Sequence, residues 1–123
     1  MNGNRYLIDT NIAIYFLTGD QRVGDILDQS QVFVSFISEL ELLSFEQEDD
    51  SSYAIIKEFL NDVVIIDINK KIKDYTIEIR KQRTLKLPDA IIAGTAKFLN
   101  IPLMTADDRF KNIEDPQIIF YEK

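Results

Sequence analysis

The chain has 123 residues, of which 46% are apolar, which suits one domain with a buried core and is too few for two. It contains no cysteine and no histidine. Disulfides, thiolate metal sites and cysteine nucleophiles are therefore excluded, as are Ser-His-Asp hydrolysis and histidine-based zinc sites. Any hydrolytic chemistry must rest on carboxylates and on metals that prefer oxygen ligands.

The net charge is −7, but it is unevenly distributed. Residues 70–86 contain seven of the fourteen basic residues against two acids, a local balance of +5 that leaves −12 elsewhere. The N-terminus lacks a basic region followed by a long apolar one, and the longest apolar run, residues 12–17, is far short of the ~20 residues that a membrane span needs. We therefore expect a cytoplasmic protein with no membrane association.

Apolar and β-branched runs alternate with segments of helical periodicity along the chain. The predicted strands are residues 6–8, 31–37, 63–68, 103–105 and 117–121. The predicted helices are residues 12–17, 22–29, 38–45, 52–60 (capped by Ser52), 70–82 and 88–99. The acidic run at residues 46–50 is typical of a solvated loop. The strand at 63–68 is apolar enough to be covered on both faces, and Gly94 indicates a close contact of its helix.

This alternation predicts an α/β sandwich in one domain, residues 1–123, with a central, mostly parallel sheet of about five strands flanked by helices. In such a sheet, the helices that follow strands begin at the carboxyl ends of the strands. Ligands bind at that edge. Residues that are far apart in sequence can therefore meet there.

Four acids, Asp9, Glu41, Asp89 and Asp107, fall near predicted helix starts. Several carboxylates brought together cannot all remain ionised unless cations neutralise them. Mg²⁺ or Mn²⁺ fits such a set, because these ions prefer oxygen ligands and retain waters that can act as nucleophiles. The pattern therefore predicts a metal site at this edge.

Each acid taken singly also has a structural explanation. Asp9 is a suitable helix cap, residues 38–41 fit an S-x-x-E capping box, and Asp89 would complement a helix dipole. Asp107 and the neighbouring Asp108 would fit an ordinary turn. Capping alone does not explain why all four fall at equivalent edges. Glu39 competes with Glu41, and because they are about 200° apart on a helix only one can face the site.

Four blocks of the sequence, LIDTNI, FISELELL, KLPDAIIAGTA and LMTADDRF, resemble the motifs of the PIN-domain ribonucleases, and specifically those of VapC-type toxins. The resemblance covers nearly the whole chain. It assigns the catalytic acids to Asp9, Asp89 and Asp107, and it selects Glu41 over Glu39. The last block also matches a T-x-D-x-x-F pattern through Thr105 and Phe110.

The resemblance implies a Mg²⁺-dependent endoribonuclease, with Mn²⁺ as a possible substitute, that leaves a 3′-hydroxyl and a 5′-phosphate. The four acids would be its metal ligands, and Thr10, Asn11 and Thr105 are candidates for orienting them. A homodimer and an inhibitory antitoxin are the expected partners, with RNA as substrate. Two alternatives stay open, namely a PIN-domain nuclease of RNA processing and a catalytically inactive α/β binding module.

The basic segment precedes Asp89 closely enough to line the approach of RNA to an acidic site. Arg83 and Lys86 are the predicted RNA contacts. The lysines at the start of the segment, Lys70, Lys71 and Lys73, fit equally well on the solvated face of an amphipathic helix.

Overall fold

A parallel sheet of five strands runs through the part of the chain that the computed structural model describes, residues 3–45, 50–82 and 84–123. The strands are β1 (Arg5–Ile8), β2 (Gln31–Ser35), β3 (Val64–Ile66), β4 (Leu103–Thr105) and β5 (Ile118–Phe120). Their order is β3-β2-β1-β4-β5, and every pair is parallel. The predicted α/β sandwich with a central parallel sheet is confirmed.

Six helices flank the sheet in these described ranges, together with one 3-10 turn, Asp108–Phe110. The helices are α1 (Thr10–Leu17), α2 (Gln21–Asp28), α3 (Phe36–Ser44), α4 (Asp50–Asp62), α5 (Lys70–Gln82) and α6 (Leu87–Leu99). None of them is long and apolar enough to cross a membrane.

The core lies on both faces of the sheet because neighbouring strand residues point to opposite sides. Leu7, Phe33 and Leu103 pack on one face with residues of α5 and α6. Ile8 and its neighbours Val34 and Met104 pack on the other face with residues of α1, α2 and α4. The two helical layers therefore bury the sheet from both sides.

The strand order reverses at β1. The chain builds outward from β1 through β2 to β3, and it then returns to add β4 and β5 on the other side. In an open parallel sheet, such a reversal leaves a crevice at the carboxyl ends of the two central strands. Residue 9 follows β1 and residue 107 follows β4, so both lie beside this crevice.

The sequence-based boundaries are wrong at the starts of two helices. The second strand ends at Ser35, whose hydroxyl accepts the N–H of Ile37 at 3.1 Å and caps α3, so the predicted capping box at residues 38–41 does not form. Helix α4 begins at Asp50, which places Ser52 inside it rather than at its cap. Strand β3 lies at the edge of the sheet with Val64 39% exposed, while Ile65 and Ile66 pack against the core clusters on its two faces. The acidic run before Asp50 lies outside the described residues.

The predicted close contact at Gly94 is confirmed. A Cβ at this position would stand 2.8 Å from Oγ1 and 3.2 Å from the backbone N of Thr76, and 3.3 Å from the carbonyl oxygen of Ile72. Helices α5 and α6 therefore approach each other with no room for a side chain. This tight packing fixes the start of α6, which carries Asp89, near the carboxyl edge of the sheet.

Candidate functional site

Asp9 follows β1 directly and is only 5% exposed. Its Oδ1 accepts the backbone N–H of Ile12 at 3.0 Å and so caps α1. Its Oδ2 accepts the hydroxyl of Thr105, the last residue of β4. Both carboxylate oxygens are thus held by the scaffold at the crevice between β1 and β4.

Thr105 links two of the acids. Its fully buried hydroxyl donates its proton to Asp9 and accepts the backbone N–H of Asp107 at 3.0 Å. Asp107 in turn caps the 3-10 turn, because its Oδ1 accepts the N–H of Arg109 at 2.9 Å. The sequence placed Thr105 among the orienting residues, and these contacts are what such a role requires.

Glu41 lies in the second turn of α3, not near its start, because the helix begins earlier than the sequence indicated. The hydroxyl of Thr10 donates to Glu41 Oε1 at 2.5 Å. The same hydroxyl lies 2.9 Å from Ser38 Oγ. Since the single proton of Thr10 goes to the carboxylate, Ser38 must be the donor to Thr10. A chain from Ser38 through Thr10 to Glu41 therefore orients this carboxylate.

The four acids share one open pocket of about 290 Å³ at the carboxyl edge of the sheet. Its walls are Asp9, Thr10, Asn11, Ile14, Glu41, Phe45, Asp89, Ile92, Asp107 and Arg109. Glu39 is not among them. Asp108 points away, with an 81% exposed side chain that pairs with Lys111 at 3.2 Å.

A larger groove of about 760 Å³ lies between α2, α4 and the β2–β3 side of the sheet, with Phe16, Ile55 and Val64 in its walls. Size alone would favour that groove as the functional site. The chemistry favours the smaller pocket, because every acid that the sequence singled out lines it. Several carboxylates that line one cavity indicate a particular chemistry, whereas an apolar groove does not.

The electrostatics of the pocket are those of crowded negative charge. Burial raises the pKa of Asp9, against the hydrogen bonds from Thr105 and Ile12, and the nearby Asp107 and Asp89 raise it further. Burial likewise raises the pKa of Asp89. Asp107 differs, since its hydrogen bonds with Arg109 lower its pKa. The charge on Asp9 and Asp89 is therefore incompletely compensated by the protein.

Arg109 supplies the positive charge inside this pocket. Its Nη2 lies 2.5 Å from Asp107 Oδ2 and 3.3 Å from Asp89 Oδ2, and its Nε lies 3.0 Å from Asp107 Oδ2. Among the described residues, no three carboxylates stand close enough together to hold a metal ion. The donor set itself, four carboxylates against the one guanidinium of Arg109, consists of oxygen ligands that suit a hard divalent cation. Arg109 occupies two of the four carboxylates that such an ion would use.

Sequence reasoning missed Ser38 and Arg109 as members of the site. The sequence pattern places Ser38 in a capping box, whereas in the structure its hydroxyl contacts Thr10, 28 positions away in the chain. Arg109 was an unassigned position of the T-x-D-x-x-F block. Its spacing of two from Asp107 was the available signal, because a capping aspartate at the start of a turn lies next to the side chain two residues on.

The structure describes only some of the basic residues that were expected to line the approach to the pocket. Lys86 is exposed, precedes the first turn of α6 and lowers the pKa of Asp89, so it lies near enough to influence the pocket. Arg83 lies outside the described residues. Lys70, Lys71 and Lys73 are exposed at the opposite end of α5.

The fold, the strand order and the four acids at one edge define a class of protein. The profile of the PIN domain matches residues 6–116, and the chain belongs to the PIN-domain family. A comparison with curated protein sequences found no match.

Solved structures of toxin–antitoxin complexes share the fold. A toxin–antitoxin complex from Klebsiella pneumoniae is 29% identical, with a TM-score of 0.84 over 96% of this chain and 99% of that one. VapBC-1 from nontypeable Haemophilus influenzae is 26% identical, with a TM-score of 0.80 over 94% and 97%. VapBC2 from Rickettsia felis, bound to a promoter DNA fragment, is 23% identical, with a TM-score of 0.84 over 96% and 99%. The resemblance to VapC-type PIN domains is confirmed.

Proposed function

We propose that this protein is a Mg²⁺-dependent endoribonuclease and the toxin of a type II toxin–antitoxin pair. The observation that carries the proposal is the convergence of Asp9, Glu41, Asp89 and Asp107 on one pocket at the carboxyl edge of the sheet. Membership of the PIN-domain family supports a nuclease that hydrolyses nucleic acid. RNA as substrate and Mg²⁺ or Mn²⁺ as cofactor rest on the motif resemblance and on the oxygen-only donor set.

In this proposal the four carboxylates would hold the metal, and hydrogen bonds from the scaffold orient two of them, Asp9 and Glu41. Asp9 is fixed by two donors, Thr105 and the N–H of Ile12. Glu41 is oriented through Thr10. When bound, the divalent ion would supply a water of lowered pKa and neutralise charge on the scissile phosphate.

The reaction balances without any further co-reactant. The water oxygen forms a bond to phosphorus while the bond from phosphorus to the 3′ oxygen breaks. A pocket carboxylate accepts the proton of the water, and the departing 3′ oxygen takes up a proton, which leaves a 3′-hydroxyl and a 5′-phosphate. Thr10 and Thr105 act on this reaction by positioning Glu41 and Asp9, and Asn11 lines the same pocket.

RNA cleavage by matched aspartate variants tests the proposal. We expect wild-type protein to cleave RNA with Mg²⁺ and not with EDTA, and Asp9→Asn to lose at least about 100-fold in rate. Asp20→Asn is the control, because Asp20 also caps a helix but does not line the pocket. Cleavage that survives EDTA, or an Asp9→Asn protein as active as wild type, would reject the mechanism and favour an inactive binding module.

The antitoxin and the homodimer are further parts of the proposal. The structural neighbour from Klebsiella pneumoniae is a toxin–antitoxin complex. Growth arrest on expression of the wild-type chain, relieved by co-expression of a small neighbouring gene, would support the toxin assignment. A nuclease of RNA maturation would show no such relief. Light scattering of the purified chain measures whether it is a dimer.

Lys86 tests the RNA approach. We expect Lys86→Gln to weaken RNA binding in EDTA. The plot of log affinity against log salt concentration should become less steep, with the magnitude of its slope reduced by about one or less. Lys71→Gln removes the same charge at the far end of α5 and serves as the control. Equal effects of the two variants would reduce the role of Lys86 to that of the general basic surface.

A further inference from the structure

Arg109 is placed unusually for a charged surface residue, because its guanidinium bridges two of the four pocket acids. The fork binds Asp107 through Nε, at 3.1 Å from Oδ1 and 3.0 Å from Oδ2, and through Nη2, at 2.5 Å from Oδ2. The same Nη2 reaches Asp89 Oδ2 at 3.3 Å. A planar fork of this kind matches carboxylates better than a point charge does.

The bridge engages oxygens that a divalent ion would need. Both oxygens of Asp107 and one oxygen of Asp89 face the guanidinium. The contacts of Arg109 do not include Asp9, whose oxygens accept hydrogen bonds from Thr105 and Ile12. A cation entering the pocket must therefore displace Arg109 from at least one acid before it is held by Asp9, Asp89 and Asp107 together.

We propose that Arg109 is the built-in counter-ion of the metal-free pocket and competes with the divalent cation for Asp89 and Asp107. The inference rests on the proposed function, because it takes the pocket to be a metal site. Its side chain is 48% exposed and belongs to a short turn, so it can leave the acids without disturbing the core. The metal-free protein thereby avoids four unneutralised carboxylates, and metal affinity is lower than these acids alone would give.

Calorimetric titration of Mn²⁺ into metal-free protein tests the competition without any RNA. We expect Arg109→Gln to bind Mn²⁺ about fivefold more tightly than wild type, the size expected when a partly exposed ion pair no longer has to be broken. Lys111→Gln is the matched control. Lys111 is 49% exposed, lies two residues away, and pairs with Asp108 outside the pocket. The Lys111→Gln variant loses the same charge without freeing a pocket acid, so its affinity for Mn²⁺ should stay within about twofold of that of wild type.

Thermal melting in EDTA gives an independent readout. Arg109→Gln should lower the Tm of the metal-free protein more than Lys111→Gln does, and Mn²⁺ should raise its Tm by more than it raises that of wild type. Should Arg109→Gln fail to fold, Arg109→Lys keeps the charge, loses the fork, and should bind Mn²⁺ with an affinity above that of wild type.

The outcomes separate this inference from the proposed function. Mn²⁺ binding that is lost in Asp9→Asn but equal in wild type, Arg109→Gln and Lys111→Gln would overturn the inference and leave the metal site standing. Weaker binding by Arg109→Gln would also overturn it, since Arg109 would then support the site. No binding by any of these proteins would overturn both.

Discussion

Asp9 and Asp20 have the same local role as helix caps, but their pKa values are shifted in opposite directions. Each is a helix cap whose Oδ1 accepts a backbone N–H three residues on, at 3.0 Å for α1 and 3.2 Å for α2. Burial and neighbouring acids raise the pKa of Asp9. The hydroxyl of Tyr121 donates to both oxygens of Asp20, at 2.8 and 2.9 Å, and lowers its pKa.

The contrast separates a carboxylate with a structural role from one that is a candidate for function. Asp20 has an ordinary structural site, in which a partner stabilises the charge and ties the C-terminal segment to α2. Asp9 lies in a place that disfavours its charged form, with Asp89 and Asp107 nearby. A buried carboxylate with other acids nearby is typical of functional sites, which agrees with the cation site proposed above.

The largest effect on this contrast is expected when the Thr105 hydroxyl, which donates to Asp9, is removed. Thr105→Val removes the proton donated to Asp9 and the acceptor of the Asp107 N–H, so RNA cleavage should fall about 10- to 100-fold and stability by about 1–3 kcal/mol. Thr105→Ser should restore most of both.

Tyr121→Phe is the counterpart at Asp20. It should lower the Tm and leave the rate of cleavage unchanged, because Tyr121 does not line the pocket. Comparable losses of cleavage in Thr105→Val and Tyr121→Phe would show that both act through general stability and would remove the contrast.

The pH dependence of stability should have opposite signs at the two aspartates. The pKa of Asp9 in the folded protein is raised above the ordinary 3.8, so its ionisation opposes folding. Its contribution is fully present below that ordinary value and is lost as the pH rises through the folded pKa. In EDTA near neutral pH, Asp9→Asn should therefore resist urea better than wild type, and the gap should close in acid.

The pH dependence expected at Asp20 has the opposite sign. Its pKa in the folded protein is lowered, so its contribution is present above the ordinary 3.8 and is lost as the pH falls through the folded value. Asp20→Asn should be less stable than wild type near neutral pH and equal to it in strong acid. Urea melts followed by circular dichroism at several pH values measure both trends. A destabilised Asp9→Asn protein near neutral pH would contradict the contrast.

The smallest effect is expected at the hydroxyl chain that orients Glu41. Ser38→Ala removes the donor to Thr10 while leaving the contact from Thr10 to Glu41, so cleavage should fall only about two- to fivefold. Ser44→Ala is the control in the same helix, because the Ser44 hydroxyl donates to the Leu40 carbonyl and does not face the pocket. Equal rates for Ser38→Ala and wild type would show that Thr10 alone suffices.

Local pattern was sufficient for most of the fold. The apolar run ending at Ile8, the basic amphipathic helix α5 and Pro88 near the start of α6 were each predicted from short-range signals, which tertiary packing did not override. The start of α3 was not predictable in this way, because Phe36 and Ile37 are as acceptable at the end of a strand as in a helix.

The site was predictable where its residues carry motifs and not where they act through space. Asp9 and Asp89 stand beside predicted helix starts, and Asp107 belongs to the T-x-D-x-x-F block. The contacts of Ser38 with Thr10 and of Arg109 with Asp89 join separate segments, so only the folded chain brings them together. Sequence spacing gives the candidates, and packing decides which of them touch.

The most direct measurement of the central claim is the anomalous scattering of crystals grown with Mn²⁺. The account predicts at least one anomalous peak in the pocket, against Asp9, Asp89 and Asp107, with the Arg109 guanidinium moved off at least one of its acids. A pocket without such a peak at a Mn²⁺ concentration that supports RNA cleavage, with Arg109 still bridging Asp89 and Asp107, would contradict it.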